Sequence, residues 1–411
     1  MHSHYSRATS KKMDIENIER YGKMKGLNLI GMGDFTHPLW IKEMKDSLTE
    51  VSGTGLYRYQ DEDIFFILSA EISLIYSQEN KTRRVHHVLL APSFEVVDQI
   101  NAMLSRYGKL EADGRPIFGK FPSFEMVEKM MQISKDIMII PAHIWTPWYA
   151  LFGSMSGFDN IKDCFGDQLK HIYALETGMS SDPQMNWRVS QLDKFTLVSN
   201  SDSHSPWINR LGREANVLDT KMTYKDVIDV IKKGDKNKFL YTIETSPSWG
   251  KYHWDGHRDC KVSLSPKESK KYNDICPVCG KKLTIGVDNR VEQLADRKHG
   301  YVKDNAIPFK ILLPLTELIA IFYNTQPYTK KVWGEAEKLI TKFGSELNVL
   351  LESPEEGLSL TTNASIAELI LRNREGKLKI QPGYDGVYGK VLLDEDIKIK
   401  QPQPSISRFI K

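Results

Sequence analysis

The chain has 411 residues, of which 40% are hydrophobic and 27% charged, and its formal net charge is +3. That balance is ordinary for a soluble protein of two or three domains with a large core, and it permits nucleic-acid binding without demanding it. The four cysteines, three of them between Cys260 and Cys279, argue against a disulfide framework and for a reducing, cytoplasmic setting.

In chain order, the opening Met1-His-Ser-His-Tyr-Ser-Arg7 has no apolar signal-peptide region. Short apolar runs then recur at Leu27-Asn-Leu-Ile-Gly-Met32, Phe65-Phe-Ile-Leu68, Ile137-Met-Ile-Ile-Pro141 and Phe195-Thr-Leu-Val198. Runs of this kind, separated by helix-like segments, predict buried parallel strands. Ser123–Ile133 and Thr223–Lys232 predict helices, each opening on Ser or Thr with an acidic residue close behind. The alternation predicts an α/β domain over residues 1–240, either a parallel barrel or an open sheet. Residues 250–285 change character, being polar and rich in Lys, Cys, His and Trp. From 286 to 395 the apolar spacing is mainly helical, and the segment ends with a Gly-rich stretch, Pro382–Gly389. That stretch reads as a turn or as a close approach to a phosphate backbone. The longest apolar stretch, Ile311–Phe322, contains Pro, Thr and Glu and is too short to span a bilayer, so no membrane partner is expected. Residues 396–411 are poor in apolar groups and predict a disordered tail.

Histidines and carboxylates collect at the C-terminal ends of the apolar runs: Asp34, Glu71, His86, His87, His143, Asp202 and His204, with His2 and His4 at the start. Ligands converging on one end of a barrel build a metal site, and imidazole with carboxylate suits zinc, manganese or iron. The number of candidate ligands exceeds what one cation uses. Two cations about 3.5–4 Å apart clamp the attacking and leaving oxygens of a phosphoryl transfer. His257-x-x-Cys260, followed by Cys276-Pro-Val-Cys279-Gly280, has the spacing of a zinc ribbon with His in place of the first Cys. A Cys₃His structural zinc is expected there. Lys267, Lys270, Lys271, Lys281 and Lys282 around it suit phosphates or simply a soluble surface. Cys164 stands apart and reads as a buried apolar residue.

The order of these motifs resembles the polymerase-and-histidinol-phosphatase (PHP) superfamily and, within it, the endonuclease Q family of DNA-repair enzymes. The stretches that carry the resemblance are His2-Ser-His-Tyr-Ser, Gly31-Met-Gly-Asp-Phe-Thr-His-Pro38, Arg83-Arg-Val-His-His-Val88, Pro141-Ala-His-Ile-Trp-Thr-Pro-Trp148, Leu175-Glu-Thr-Gly178, Ser199-Asn-Ser-Asp-Ser-His204 and Arg210-Leu-Gly-Arg-Glu214. The segments Leu283–Asp296 and Pro314–Ala320 are also similar. The resemblance implies a distorted (β/α)7 PHP barrel, a zinc knuckle and a C-terminal helical domain that grips DNA. It implies two or three divalent cations (Zn, Mn, Mg or Fe) held by His2, His4, Asp34, His37, Glu71, His87, His143, Asp202 and His204. Of the adjacent pair, His87 is the expected ligand, because the family's histidine precedes an apolar pair. The family opens on His-x-His-Ser-x-Tyr-Ser, and Ser3–Ser6 matches its tail. His2 then takes the second histidine's place and the first would fall upstream of Met1, unless His4 substitutes by a shift of register. His37 reads as a ligand support or a loop histidine, and Glu176 as a ligand support or a barrel-mouth carboxylate.

Catalysis is expected of Asp202, His204, Glu71, Arg210 and Arg213. The arginines suit phosphate oxygens, or form a solvated pair with Glu214. Trp145, Trp148 and Tyr149 suit stacking on a base, or barrel packing. The tail's Gln403, Ile406, Phe409 and Ile410 follow the pattern of a sliding-clamp binding box, which implies a PCNA-type clamp as partner. The implied activity is hydrolysis of damaged DNA 5′ to a deaminated base or an abasic site. The alternatives are a PHP phosphoesterase on a small monoester and a catalytically impaired DNA-binding protein.

Overall fold

A computed structural model describes residues 1–60 and 63–393, so the expected tail with Gln403, Ile406, Phe409 and Ile410 lies outside the described residues. The chain starts with a loop that carries His2 and His4, then helix α1 (Ile15–Lys25) and strand β1 (Leu29–Gly31). Asp14 caps α1 by accepting from the Asn17 amide, and Gly26, with φ of 97°, ends it in the left-handed region. Next come α2 (Pro38–Ser47), β2 (Leu48–Val51) and β3 (Leu56–Tyr59). A long hairpin follows, β4 (Phe65–Gln78) and β5 (Lys81–Ala91). It turns on Glu79 and Asn80, with φ of 55° and 58°, the two positive φ values that a tight two-residue hairpin turn needs. The first half of the chain is completed by α3 (Phe94–Leu104), β6 (Ile117–Gly119), α4 (Ser123–Ile133) and β7 (Met138–Pro141).

These seven strands form one mixed sheet. β1 and β6 pair parallel with β4, whereas β5 pairs antiparallel with both β4 and β7. The purely parallel expectation thus fails at β4 and β5. The run Phe65–Leu68 does not stop at Glu71 but continues through Ala70-Glu-Ile-Ser-Leu-Ile-Tyr76 and folds back. α4 begins as expected, but Ser123 lies inside it: Pro122 holds the cap position and the Ser123 hydroxyl faces Tyr76 and His87.

Beyond β7 come α5 (Ile161–Phe165), β8 (Ala174–Glu176), α6 (Pro183–Asn186) and β9 (Thr196–Val198), with β8 and β9 parallel. β10 (Ala215–Leu218), α7 (Tyr224–Lys233) and β11 (Phe239–Glu244) follow. Thr223 caps α7, with its hydroxyl accepting from the Asp226 amide, as the sequence predicts. The polar segment forms the hairpin β12 (Asp255–His257) and β13 (Val262–Leu264), then α8 (Pro266–Lys271) and α9 (Val287–Leu294). β14 (Phe309–Ile311) joins β11, so the three-stranded sheet β10-β11-β14 leads into α10 (Leu315–Tyr323), α11 (Lys330–Phe343), α12 (Glu346–Leu351), α13 (Glu355–Thr361) and α14 (Ala364–Arg374). A last two-stranded pair, β15 (Lys379–Gln381) and β16 (Lys390–Leu392), flanks the Gly-rich turn.

One large core fills the space inside and around the seven-stranded sheet. A second packs α10–α14 against β11 and the loop residue Ile208. Among the described residues, no helix is long and apolar enough to cross a membrane.

Candidate metal centre

β4 and β5 set the first half of the centre. Their antiparallel register places Glu71 opposite Val88, Ile72 opposite His87 and Ser73 opposite His86. Side chains alternate faces along a strand, so Glu71 and His86 share one face and His87 takes the other. Glu71 Oε1 lies 2.5 Å from His86 Nδ1 and 3.3 Å from His143 Nε2, and the two ring nitrogens are 3.2 Å apart. His143 stands just past β7, where Thr146 Oγ1 lies 3.1 Å from its Nδ1 and its amide donates to Glu176 at 2.8 Å. Gly178 makes room for it, since a Cβ there would come within 2.6 Å of the His143 Cβ.

The second half comes from the N-terminal loop and the segment after β9. His2 Nε2 lies 3.2 Å from Asp202 and 2.9 Å from Glu71, and its Nδ1 lies 2.9 Å from Asp34. The His2 amide donates to the Ser203 carbonyl, and the rings of His2 and His204 are 4.8 Å apart. Asp34 is fully buried and also accepts from the Ser3 amide and hydroxyl. Asp34, His143 and Asp202 hold φ angles of 50°, 31° and 41°, a region that non-glycine residues seldom occupy and that clusters at functional sites.

Charge explains the protonation of this set. Burial alone would lower His2, but Asp34, with Asp202 and Glu71, holds it well above its ordinary value. Burial would raise Glu71, but His86, His143 and His2 hold it well below the carboxylate range. His143 is pushed up to about 9 against burial by Glu71, while burial takes His86 down to about 4. The candidate ligand atoms fall into two groups, His2–Asp202–His204 and Glu71–His86–His143, each within 4.8 Å of one another. Imidazole nitrogens facing one another across shared carboxylates form the mixed N/O donor set that zinc, manganese and iron prefer.

The other expected ligands stand elsewhere. His87 is buried on the opposite face, 2.9 Å from Ser123 Oγ and edge-on to Phe165. His4 turns outward to the Met13 carbonyl and Glu43 and packs edge-on to Trp40. His37 stacks on Tyr5 at 4.5 Å and sits just before α2. Trp145 is buried in the core and donates to Asn186, so it offers no surface to a base. Trp148, 37% exposed, meets Tyr252 edge-on, and Tyr149 lies against His86 at 4.8 Å. Arg210 pairs with Glu317 of α10 at 3.3 Å, and Arg213 donates to the Ser201 carbonyl, next to Asp202. Glu214 is buried and bonded to Ser199 and Thr245 rather than solvated. Arg115, whose guanidinium is 3.9 Å from Glu71, carries no motif and escapes the sequence reading. His86 could have been found from strand parity, had the β4–β5 register been known.

The second cluster is local. His257, Cys260, Cys276 and Cys279 bring their ligand atoms within 4.8 Å of one another. Gly280, at φ of 73°, turns the chain after Cys279. Among the described residues, Val262, Cys276 and Leu283 form a small buried apolar cluster beside them, with Cys260 and Leu264 packed against it. Buried Asp255 ties the segment to α9 by accepting from the Gly286 amide at 2.7 Å and from Asn289 at 2.6 Å.

Fold and site together define a mixed α/β protein built around a His–carboxylate centre, buried at His2, Asp34, Glu71 and His86 and partly exposed at Asp202 and His204. Over 97% of its length the chain superimposes on the lesion-specific endonuclease PfuEndoQ of Pyrococcus furiosus, with a TM-score of 0.86, 32% identity and 94% of that chain covered. It matches equally an endonuclease Q bound to a 27-mer duplex with an abasic lesion at its active site, with a TM-score of 0.85, 33% identity, and 97% and 96% of the two chains covered. The chain belongs to the endonuclease Q family. A family model of the MJ0043 C-terminal domain matches residues 314–377. MJ0043 of Methanocaldococcus jannaschii is 34% identical over 65% of this chain, which spans 34% of that protein's length. YqxK of Bacillus subtilis is 28% identical over 89% of both chains.

Proposed function

We propose that the chain is a lesion-specific DNA-repair endonuclease that hydrolyses the phosphodiester 5′ to a deaminated base (uracil, hypoxanthine or xanthine) or an abasic site. One observation carries the reading: His2, Glu71, His86, His143, Asp202 and His204 converge in two candidate ligand groups within a chain that aligns with endonuclease Q over 97% of its length. In this reading residues 1–240 are a PHP-type barrel, 250–285 a zinc knuckle and 286–395 a DNA-binding helical domain. His2, Asp202 and His204 hold one divalent cation and Glu71, His86 and His143 another, with Asp34 fixing His2 between them. Cations held there supply Lewis acidity toward a phosphate oxygen and bring the pKa of water toward neutrality. Glu71 draws both groups together, Thr146 and Glu176 hold His143 in place, and Arg115 and Arg213 hold the phosphate oxygens. Tyr149, against His86, and the partly exposed Trp148 offer rings on which an extruded nucleotide or its neighbour can stack. Unstacking costs less at a damaged base, which is one source of selectivity.

His257, Cys260, Cys276 and Cys279 hold the structural zinc, and the exposed Lys267, Lys270, Lys271, Lys281 and Lys282 face phosphates. The motif at Gln403, Ile406, Phe409 and Ile410 supports a PCNA-type sliding clamp as partner, which brings the enzyme to DNA.

The test is a labelled duplex with a single deoxyuridine, deoxyinosine or abasic site, incubated with the protein and Mg²⁺, Mn²⁺ or Zn²⁺. A nick immediately 5′ to the lesion, absent from the undamaged duplex, is expected. Equal cutting of the undamaged duplex, or no cutting with any of the three ions, overturns the reading.

A further inference from the structure

The segment from Asp202 to Arg213 carries two candidate ligands at one end and is gripped at the other by the C-terminal helices. Trp207 lies edge-on between Tyr21 of α1, at 5.1 Å, and Trp333 of α11, at 6.2 Å. Ile208 is fully buried in the core of α10–α14. Its carbonyl accepts from Lys25 Nζ at 2.9 Å, and the same ammonium pairs at 3.1 Å with Glu346 of α12. Glu346 also accepts from the Leu315 amide at the start of α10. Lys25 is 1% exposed and Glu346 is fully buried. Gly212, at φ of +62°, packs so closely that a Cβ would lie 3.0 Å from Lys25 Cγ.

Apolar residues of similar volume would pack these helices together without the desolvation penalty that a buried ion pair carries. What the pair adds is direction. One ammonium joins the end of α1, the backbone of the Asp202–Arg213 segment and the starts of α10 and α12, and so fixes their mutual register.

We infer that Lys25 and Glu346 are positioning residues: through the Ile208 backbone they make the C-terminal helices set the place of Asp202 and His204, and thus assemble the cation site. The inference rests on reading that centre as the metal centre. It assigns the helices a part in building the site that is separate from any grip on DNA.

The experiment uses the full chain, zinc-loaded at the knuckle. The double variant Lys25→Met/Glu346→Gln removes both charges while keeping volume and an acceptor for the Leu315 amide. Mn²⁺ binding is read by electron paramagnetic resonance without DNA, affinity for an abasic-site duplex without added Mn²⁺, and nicking at saturating duplex. Mn²⁺ affinity is expected to fall about tenfold, as for other residues that support ligands from behind, with nicking falling in parallel and recovering at high Mn²⁺. Duplex affinity and the circular dichroism spectrum stay as in the parent. If the double variant does not fold, Trp333→Ala is expected to weaken Mn²⁺ binding in the same way, and Trp333→Phe to restore it. Unchanged Mn²⁺ affinity in a folded variant overturns the inference, as does a loss confined to duplex affinity. A parent chain that binds Mn²⁺ but nicks no lesion sinks the proposed function alone, because the metal-affinity comparison still stands.

Discussion

Adjacent histidines on β5 face opposite sides of the sheet: His86 meets Glu71 and His143, and His87 meets Ser123 and Phe165. Their substitutions should therefore separate. His86→Ala is expected to lower nicking at saturating lesion duplex on the order of 100-fold with the urea midpoint little changed. His87→Ala is expected to destabilise the fold by about 1–3 kcal/mol, through loss of packing against Phe165 and of the contact with the Ser123 hydroxyl, which keeps its bond from Tyr76, while folded molecules keep nicking. Equal losses of activity in the two variants would contradict the register. Burial takes His87 down to about 3 from an ordinary 6.5. The unfolded chain then takes up a proton near pH 6.5 that the folded chain refuses until about pH 3. The contribution of His87 to stability is thus complete above pH 6.5 and declines as pH falls through that window. Denaturation midpoints between pH 7 and pH 5 should fall less steeply in His87→Leu than in the parent, a comparison independent of activity.

At the scale of elements, α1 does more than flank the sheet. Its C-terminal Gly26 adopts φ of 97°, and a Cβ there would meet Ser345 Oγ at 2.6 Å, at the start of α12. Gly26→Ala combines left-handed strain with that clash, so a loss of about 1–2 kcal/mol in urea unfolding is expected, beyond the cost of the backbone alone. The knuckle depends on a different force. Its apolar core is three buried residues, so in the proposed zinc reading the metal joins the Asp255 anchor in supplying the rest. Chelation should expose the amides of residues 252–286 to hydrogen exchange while β4 and β5 stay protected. Protection that survives chelation would remove the zinc from the account. Strands β1, β4, β7 and β9 were legible as apolar runs, and β1 with β4 and β8 with β9 pair parallel as expected, but the antiparallel return of β5 was not legible. β4 and β5 pair antiparallel through a Glu-Asn turn, and Glu is atypical where Asn-Gly or Asp-Gly usually signals a hairpin.

Across the whole molecule, locality separates what the sequence determined from what the tertiary structure decided. The candidate knuckle ligands were readable as a cluster because two-residue spacings put His257 with Cys260, and Cys276 with Cys279, within reach of one another whatever surrounds them. Asp34, His143 and Asp202 were readable as motif residues at strand ends, and each sits in a tight turn where its own backbone aims it. The placement of His86 beside Glu71 and His143 was not readable, because it depends on a cross-strand register that no residue near it encodes. Nor was that of Arg115, which reaches Glu71 from a distant loop. Trp145 followed the same rule in reverse: beside a ligand in sequence, it turns into the core to meet Asn186. Lys25 is the extreme case. Its carbonyl partner is 183 residues away and its carboxylate partner opens α12, so only the folded chain brings the charge, the loop and the helices to one point.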